Sequence, residues 1–488
     1  MKKTHLVSLL ACIFCLPVYG SSADQQWLDL TGRYLDEMPA LSPVTATYIG
    51  DHRFDGELDD VSAEARIAEA AFIRRYQAEM AAIDRAQLER ANQVDYSLLA
   101  HELASSLWTL EELQPWAWNP LTYTQLAGGA IYSLMAREFA PLPERLTHVT
   151  ERLEGLPRLL KQVQATLVPV RVPQIYAETA VKQNRGVLSI MESQVKPFLS
   201  SLDEAGQERL VLAMDSATAA VEEHQVWLET VMLPQAKADF RAGAEVFDRK
   251  LAFSLNTPLS REQVRERAES EFHRIRGEMY EIAKTIYAEK YPMASFPEQA
   301  DEDYQQVIIR AGLEVAYQDL PPRDEIVALA KAQILQATEF VREHDLVSVP
   351  DDPVDVIIMP EFQRGFSVAY CDSPGPLDTG QKTFYAISPI PEDWNDSQVE
   401  SFLREYNIYS MQNLTVHEAM PGHYLQLAHS GRYPSTLRAV LQSGTFIEGW
   451  GVYAEQLMMN NGYNGNDPRQ RLIGLKWLLR SVTNALMD

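Results

Sequence analysis

The sequence predicts a mainly α protein with a small β-sheet beside its metal-site helices, and three observations carry that expectation. From Gln25 to about Phe340, apolar residues recur at helical spacing. After Leu346 the texture changes to three short, alternating, strand-like runs. A further helical stretch then leads into His417-Glu418-Ala419-Met420-Pro421-Gly422-His423. With 46% hydrophobic and 23% charged residues, the composition is that of an ordinary soluble globular protein. The 488 residues suffice for one large domain or two to three smaller ones.

Residues 1–23 read as an export leader. Lys2-Lys3 supply the charged start, Leu6 to Tyr19 a short apolar run broken by Pro17, and the small residues around Gly20 to Ala23 a place for cleavage. That run is too short to span a bilayer, so the expectation is a periplasmic or secreted protein with no transmembrane span. Leu9-Leu10-Ala11-Cys12 loosely resembles a lipoprotein processing site, but the apolar run before it is very short. Simple removal of the leader is therefore preferred to a lipid anchor at Cys12. Cys12 and Cys15 both lie in the leader, which leaves Cys371 without an intramolecular disulfide partner.

Residues 24–345 form the predicted helical region. Trp27, Leu30, Tyr34 and Leu35 give its first apolar stripe, and Ile67, Ala71, Ile73 and Met80 give another within Ser62 to Ala86. A helix from Pro143 through Leu160 is expected to kink at Pro157. Long periodic segments cover 203–237 and 259–291, the second opening on the capping box Ser260-Arg261-Glu262-Gln263. No fixed-period repeat is evident, which disfavours a solenoid. His101-Glu102 has no second histidine nearby and is read as incidental.

Residues 346–488 form the metal-site region. Strands are expected at Val354–Met359, Phe366–Tyr370 and Thr383–Ile387, and a helix capped by Ser397 and Glu400 is expected before His417. The net charge of −25 argues against nucleic-acid binding, because phosphate neutralisation needs a basic surface. It fits a solvated acidic surface, with attraction of cationic substrates as a secondary reading.

Two histidines and a glutamate within seven residues are what a zinc hydrolase requires: imidazoles to hold the ion and a carboxylate to take a proton from water. In H-E-x-x-H the histidines are four apart on one helix face. Here they are six apart, which on a regular helix separates them by about 120°. Pro421, with no N–H to bond to the His417 carbonyl, and Gly422, with its freedom of backbone angle, read as an interruption that swings His423 back. The plainer alternative is a helix that stops at Met420 with two unrelated histidines around a turn.

A third ligand is needed. Glu448 lies 25 residues beyond His423 on a predicted second helix, with Glu455 seven further along on the same face. Glu448 is the candidate ligand, Glu455 a hydrogen-bond partner for a ligating histidine, and His429 a surface or supporting residue.

The stretches HEAMPGHYLQ and IEGWGVYAEQL, with Asp239-Phe240-Arg241-Ala242-Gly243, Phe366–Tyr370 and Lys382–Tyr385 upstream, resemble the bacterial family known as domain of unknown function 885. The resemblance covers nearly the whole chain after the leader. It implies a zinc metallopeptidase of the glutamate-ligand kind, with the architecture of the deep-cleft oligopeptidases. His417, His423 and Glu448 would hold one zinc ion, and Glu418 would be the general base. Tyr370 and Tyr385, on strands expected to line the cleft, are the candidate substrate-binding residues, and one of those strands would pair with an extended peptide. Manganese or cobalt suits the same donors.

Proteins of this kind usually continue past the point where this chain ends. The last helix, with Leu472, Leu475, Leu479 and Val482 on one side, calls for a covering partner. The sequence therefore also admits a non-peptide amide hydrolase, or a catalytically impaired exported protein that binds metal or peptide.

Overall fold

A computed structural model describes residues 22–360, 363–364 and 367–488. The export leader, but for its last two residues, lies outside the described residues, as do Cys12 and Phe366. The fold is mainly α. Its principal helices are α1 (Ser22–Glu37), α2 (Ala63–Ala81), α3 (Arg90–Trp108), α4 (Pro120–Met135), α5 (Leu142–Thr166), α6 (Glu204–Trp227), α7 (Ala244–Leu255), α8 (Arg261–Lys290), α9 (Glu302–Ala316) and α10 (Ile326–Glu343). A three-stranded sheet follows: β1 (Val354–Ile358), β2 (Ala369–Asp372) and β3 (Thr383–Ile387). The chain then runs through α11 (Asp396–Glu405), α12 (Ile408–Glu418), α13 (His423–Ser430), α14 (Gly444–Asn460) and α15 (Pro468–Met487). Among the described residues no helix is long and apolar enough to cross a membrane.

Helical periodicity builds the cores. Leu146, Val149, Leu153, Leu156 and Leu160 bury one face of α5 against α4 and α6. The helix continues through Pro157 to Thr166 rather than ending near Leu160. The Ser260 capping box forms as expected, its side chain accepting from the Gln263 N–H. The box before α11 is Asn395 with Gln398, two residues ahead of the expected Ser397 and Glu400, because Asn395 supplies the extended backbone an N-cap needs.

The apolar side of α15 finds its cover in α8 and α9. Leu472 and Leu475 are buried against Ile275, Met279 and Ile286, with Leu479 and Val482 packed at the margin. That face therefore carries no argument about what lies beyond Asp488.

In the sheet, β3 is central, parallel to β1 and antiparallel to β2. The second strand starts at Ala369, three residues later than expected, where it comes into register with Ile387. Its far end is tied to the helical region. Asp372 accepts from Arg137 at 2.9 Å and from the Tyr132 hydroxyl at 2.9 Å, in a pair whose side chains are only 12% and 8% exposed. Removing one partner of a buried pair leaves the other charge uncompensated. Asp372→Ala should therefore cost about 3–5 kcal/mol, read as a lower urea midpoint. A midpoint equal to wild type would show that Arg137 is adequately paired without it.

Candidate metal centre

Helix α12 is the most deeply buried of the site elements. Asn407 caps it, its side-chain oxygen accepting from the N–H groups of Tyr409 and Ser410, and every residue from Tyr409 to Val416 is buried. The helix ends at Glu418 because Pro421 cannot continue its hydrogen-bond ladder. Ala419 leaves the helical region at φ −120° and ψ −87°, the Met420–Pro421 peptide is cis, and α13 begins at His423.

Gly422 stands at φ −76° and ψ −132°, the latter outside the common α and β ranges, as its place in the interruption suggests. Contact demands glycine as well: a Cβ would lie 1.8 Å from the His417 carbonyl oxygen and 2.3 Å from that of Val416. The chain doubles back on the last turn of α12, and the His417 and His423 rings meet edge to face with centroids 4.7 Å apart. The two-residue interruption does bring the histidines together.

Helix α14 closes the site from the other side. The Trp450 indole N–H donates to the Pro421 carbonyl at 2.8 Å, pinning α14 to the loop. Gly451 lies against the His417 ring, where a Cβ would stand 2.7–2.9 Å from three ring atoms. This approach brings Glu448 to 3.5 Å from His417 Nε2 and 3.9 Å from His423 Nε2. One ligand atom from each of the three residues falls within 4.8 Å of the others. Tetrahedral zinc with bonds near 2.1 Å separates its donors by roughly 3.4 Å, and the donor types and their spacing, at most 4.8 Å, suit such an ion.

The supporting contacts are also in place. Glu455 is buried; one oxygen takes the His417 Nδ1–H at 2.6 Å, and the other accepts from the Asn413 side chain at 2.7 Å. This bond fixes the tautomer that turns Nε2 toward Glu448. Burial alone would lower the His417 pKa, but the Glu448 and Glu455 carboxylates lift it to about 10. Those carboxylates thus favour positive charge where an ion would sit. Burial, reinforced by His417, pushes His423 down to about 4, which keeps it neutral. The hydrogen bond with His417 holds Glu448 below the usual carboxylate range.

Glu418 is buried beside the cluster without joining it as a ligand. Burial pushes its carboxyl up to about 7, against the pull of His417 and of a hydrogen bond from the Cys371 N–H. That bond places the carboxyl against β2, an outer strand of the sheet packed on α12. Glu418 and His417 face a cavity of about 930 Å³, with Asn413, Trp394 and Trp477 among its walls. Ser367 lines both this space and a second cavity of about 1030 Å³ under the helical region.

The two tyrosines part company. Tyr370 lines the second cavity, its hydroxyl donating to Gln363. Tyr385 has no exposed surface, and its hydroxyl lies 3.4 Å from the Thr415 side chain. Its substrate-binding assignment is therefore corrected: it packs the sheet onto α12. Since β3 is paired on both sides, β2 is the strand with an edge next to the site. His429 turns away to the Ser348 carbonyl, and His101 bonds the Phe253 carbonyl. Asn413, Trp450 and Gly451 were not singled out from the sequence. Asn413 stands one turn before His417, a spacing that could have flagged it.

Fold and site together define a mainly helical protein with a two-histidine, one-glutamate constellation beside a buried carboxylate. The chain belongs to the family described as bacterial protein of unknown function (DUF885), which matches residues 43–488. A search of the curated proteins gives no match. Among solved structures, the chain is similar to a protein from Shewanella oneidensis described as a putative lipoprotein of unknown function, at 29% identity and a TM-score of 0.73. That alignment covers 95% of this chain and 82% of the other. A protein from Colwellia psychrerythraea described as a putative lipoprotein shares the fold at 18% identity and a TM-score of 0.73, over 96% of this chain and 83% of the other.

Proposed function

We propose that the protein is a zinc-dependent peptidase that hydrolyses peptide bonds with Glu418 as general base. The observation that carries this reading is the His417, His423 and Glu448 donor set, within 4.8 Å, beside a buried carboxylate that is not needed as a ligand. When bound, zinc supplies Lewis acidity and makes water more acidic. Glu418 takes the proton of the attacking water and delivers it to the leaving amine. Glu455, anchored by Asn413, keeps the His417 ring in orientation. The outer edge of β2, whose Cys371 N–H already bonds Glu418, would offer its remaining main-chain groups to an extended substrate, which favours peptides over other amides.

Export belongs to the same proposal. The charged start and apolar run of residues 1–23 support it, and so do the lipoprotein descriptions of the two similar structures. Those descriptions also strengthen the case for a lipid on Cys12, which mass analysis of the mature N-terminus would decide.

The test is cleavage of a quenched-peptide library before and after chelation, with metal content measured on the same sample. About one zinc per chain and chelator-sensitive turnover are expected. A folded sample that binds no metal, or cleavage indifferent to a chelator, would sink the proposal.

A further inference from the structure

We infer that Gln426 is the positioning residue for His423, its side-chain amide oxygen accepting the Nδ1–H so that Nε2 faces the metal. This rests on the zinc-site reading above. A ligating histidine donates its second ring N–H to a partner that fixes its tautomer. His417 has such a partner in Glu455, at 2.6 Å. His423 turns Nε2 toward Glu448, so Nδ1 is the nitrogen that must be held.

His423 Nδ1 is buried without a hydrogen-bond partner, and so is Gln426 Oε1. These are two of only five such side-chain atoms among the described residues, and they are complementary, a donor in the neutral tautomer and an acceptor. Gln426 follows His423 by three residues in α13 and lies on the same face. It is near enough for its amide to act on the ring. A hydrogen bond between the two atoms would satisfy both.

The chemistry of the pair suits the site. Glu448 and Glu455 already bring two negative charges around His417, matching a divalent cation. A neutral amide behind His423 orients the ring without adding further negative charge.

The test measures zinc affinity by chelator competition, together with the visible spectrum of the cobalt-substituted protein, which reports ligand geometry. Gln426→Leu should weaken zinc about 10–100-fold and alter the cobalt spectrum. Gln426→Glu, which restores an acceptor, should recover most of the affinity. If the leucine variant does not fold, Gln426→Asn replaces it: it stays polar but withdraws the amide by one methylene, and the same loss is expected. Leucine or asparagine variants that fold, bind zinc as wild type does and keep its cobalt spectrum would overturn the assignment. His417→Ala separates the two levels. If it too binds zinc undiminished, the metal-site reading has failed, and if only the Gln426 variants do, the positioning role alone has failed.

Discussion

Glu418→Gln is expected to keep the metal and lose the reaction. The side chain is 8% exposed and its neighbours are packed, so an amide of the same size fits where the carboxylate was. Zinc content should stay near one per chain, because the donor set is His417, His423 and Glu448 and does not draw on position 418. What disappears is the proton acceptor. An amide cannot take a proton from water or return it to an amine, and positioned acid–base groups contribute about 10²–10⁴-fold. Turnover of a cleavable peptide should drop by that factor with little change in KM, since the group acts in the chemical step. Loss of zinc together with activity would instead make Glu418 a ligand. Retained activity would move the base elsewhere in the cavity.

How far the sequence foretold this site depends on whether each feature is local. Glu455 was legible because seven residues from Glu448 is two helical turns, which puts both on one face. The fold class and the three strand-like runs were legible for the same reason. Tyr385 was not. Period-two alternation says that a strand has two faces but not which one meets the core, and Thr383-Phe384-Tyr385 is rich in apolar groups on both. The cover of α15 could not be read at all, because α8 lies nearly two hundred residues earlier in the chain. Gly451 was invisible for a related reason. Its role is the absence of a side chain against a ring on another helix, which leaves no trace in its own neighbourhood.

Substitution of Gly422 is the second large effect. Gly422→Ala drives a methyl group to 1.8 Å from the His417 carbonyl oxygen, at a residue whose ψ of −132° is itself outside the common ranges. That atom belongs to the backbone of the last turn of α12, which is buried and has no rotamer by which to yield. Overpacking commonly costs about 1–3 kcal/mol and sometimes more, and an obstacle that cannot rotate away belongs at the upper end. The relief open to the chain is to lift the Pro421–Gly422 turn off α12, which also breaks the Trp450 bond to Pro421 and carries His423 away from Glu448. Gly422→Ala should thus show a lower denaturation midpoint and zinc well below one per chain. Gly431→Ala is the matched control. Its φ is −64°, and its Cβ would meet only the Leu427 carbonyl at an ordinary 3.5 Å. It should bind zinc normally and stay within about 0.5 kcal/mol of wild type. Equal behaviour of the two variants would mean that the close approach of Gly422 to His417 does not hold the histidines together.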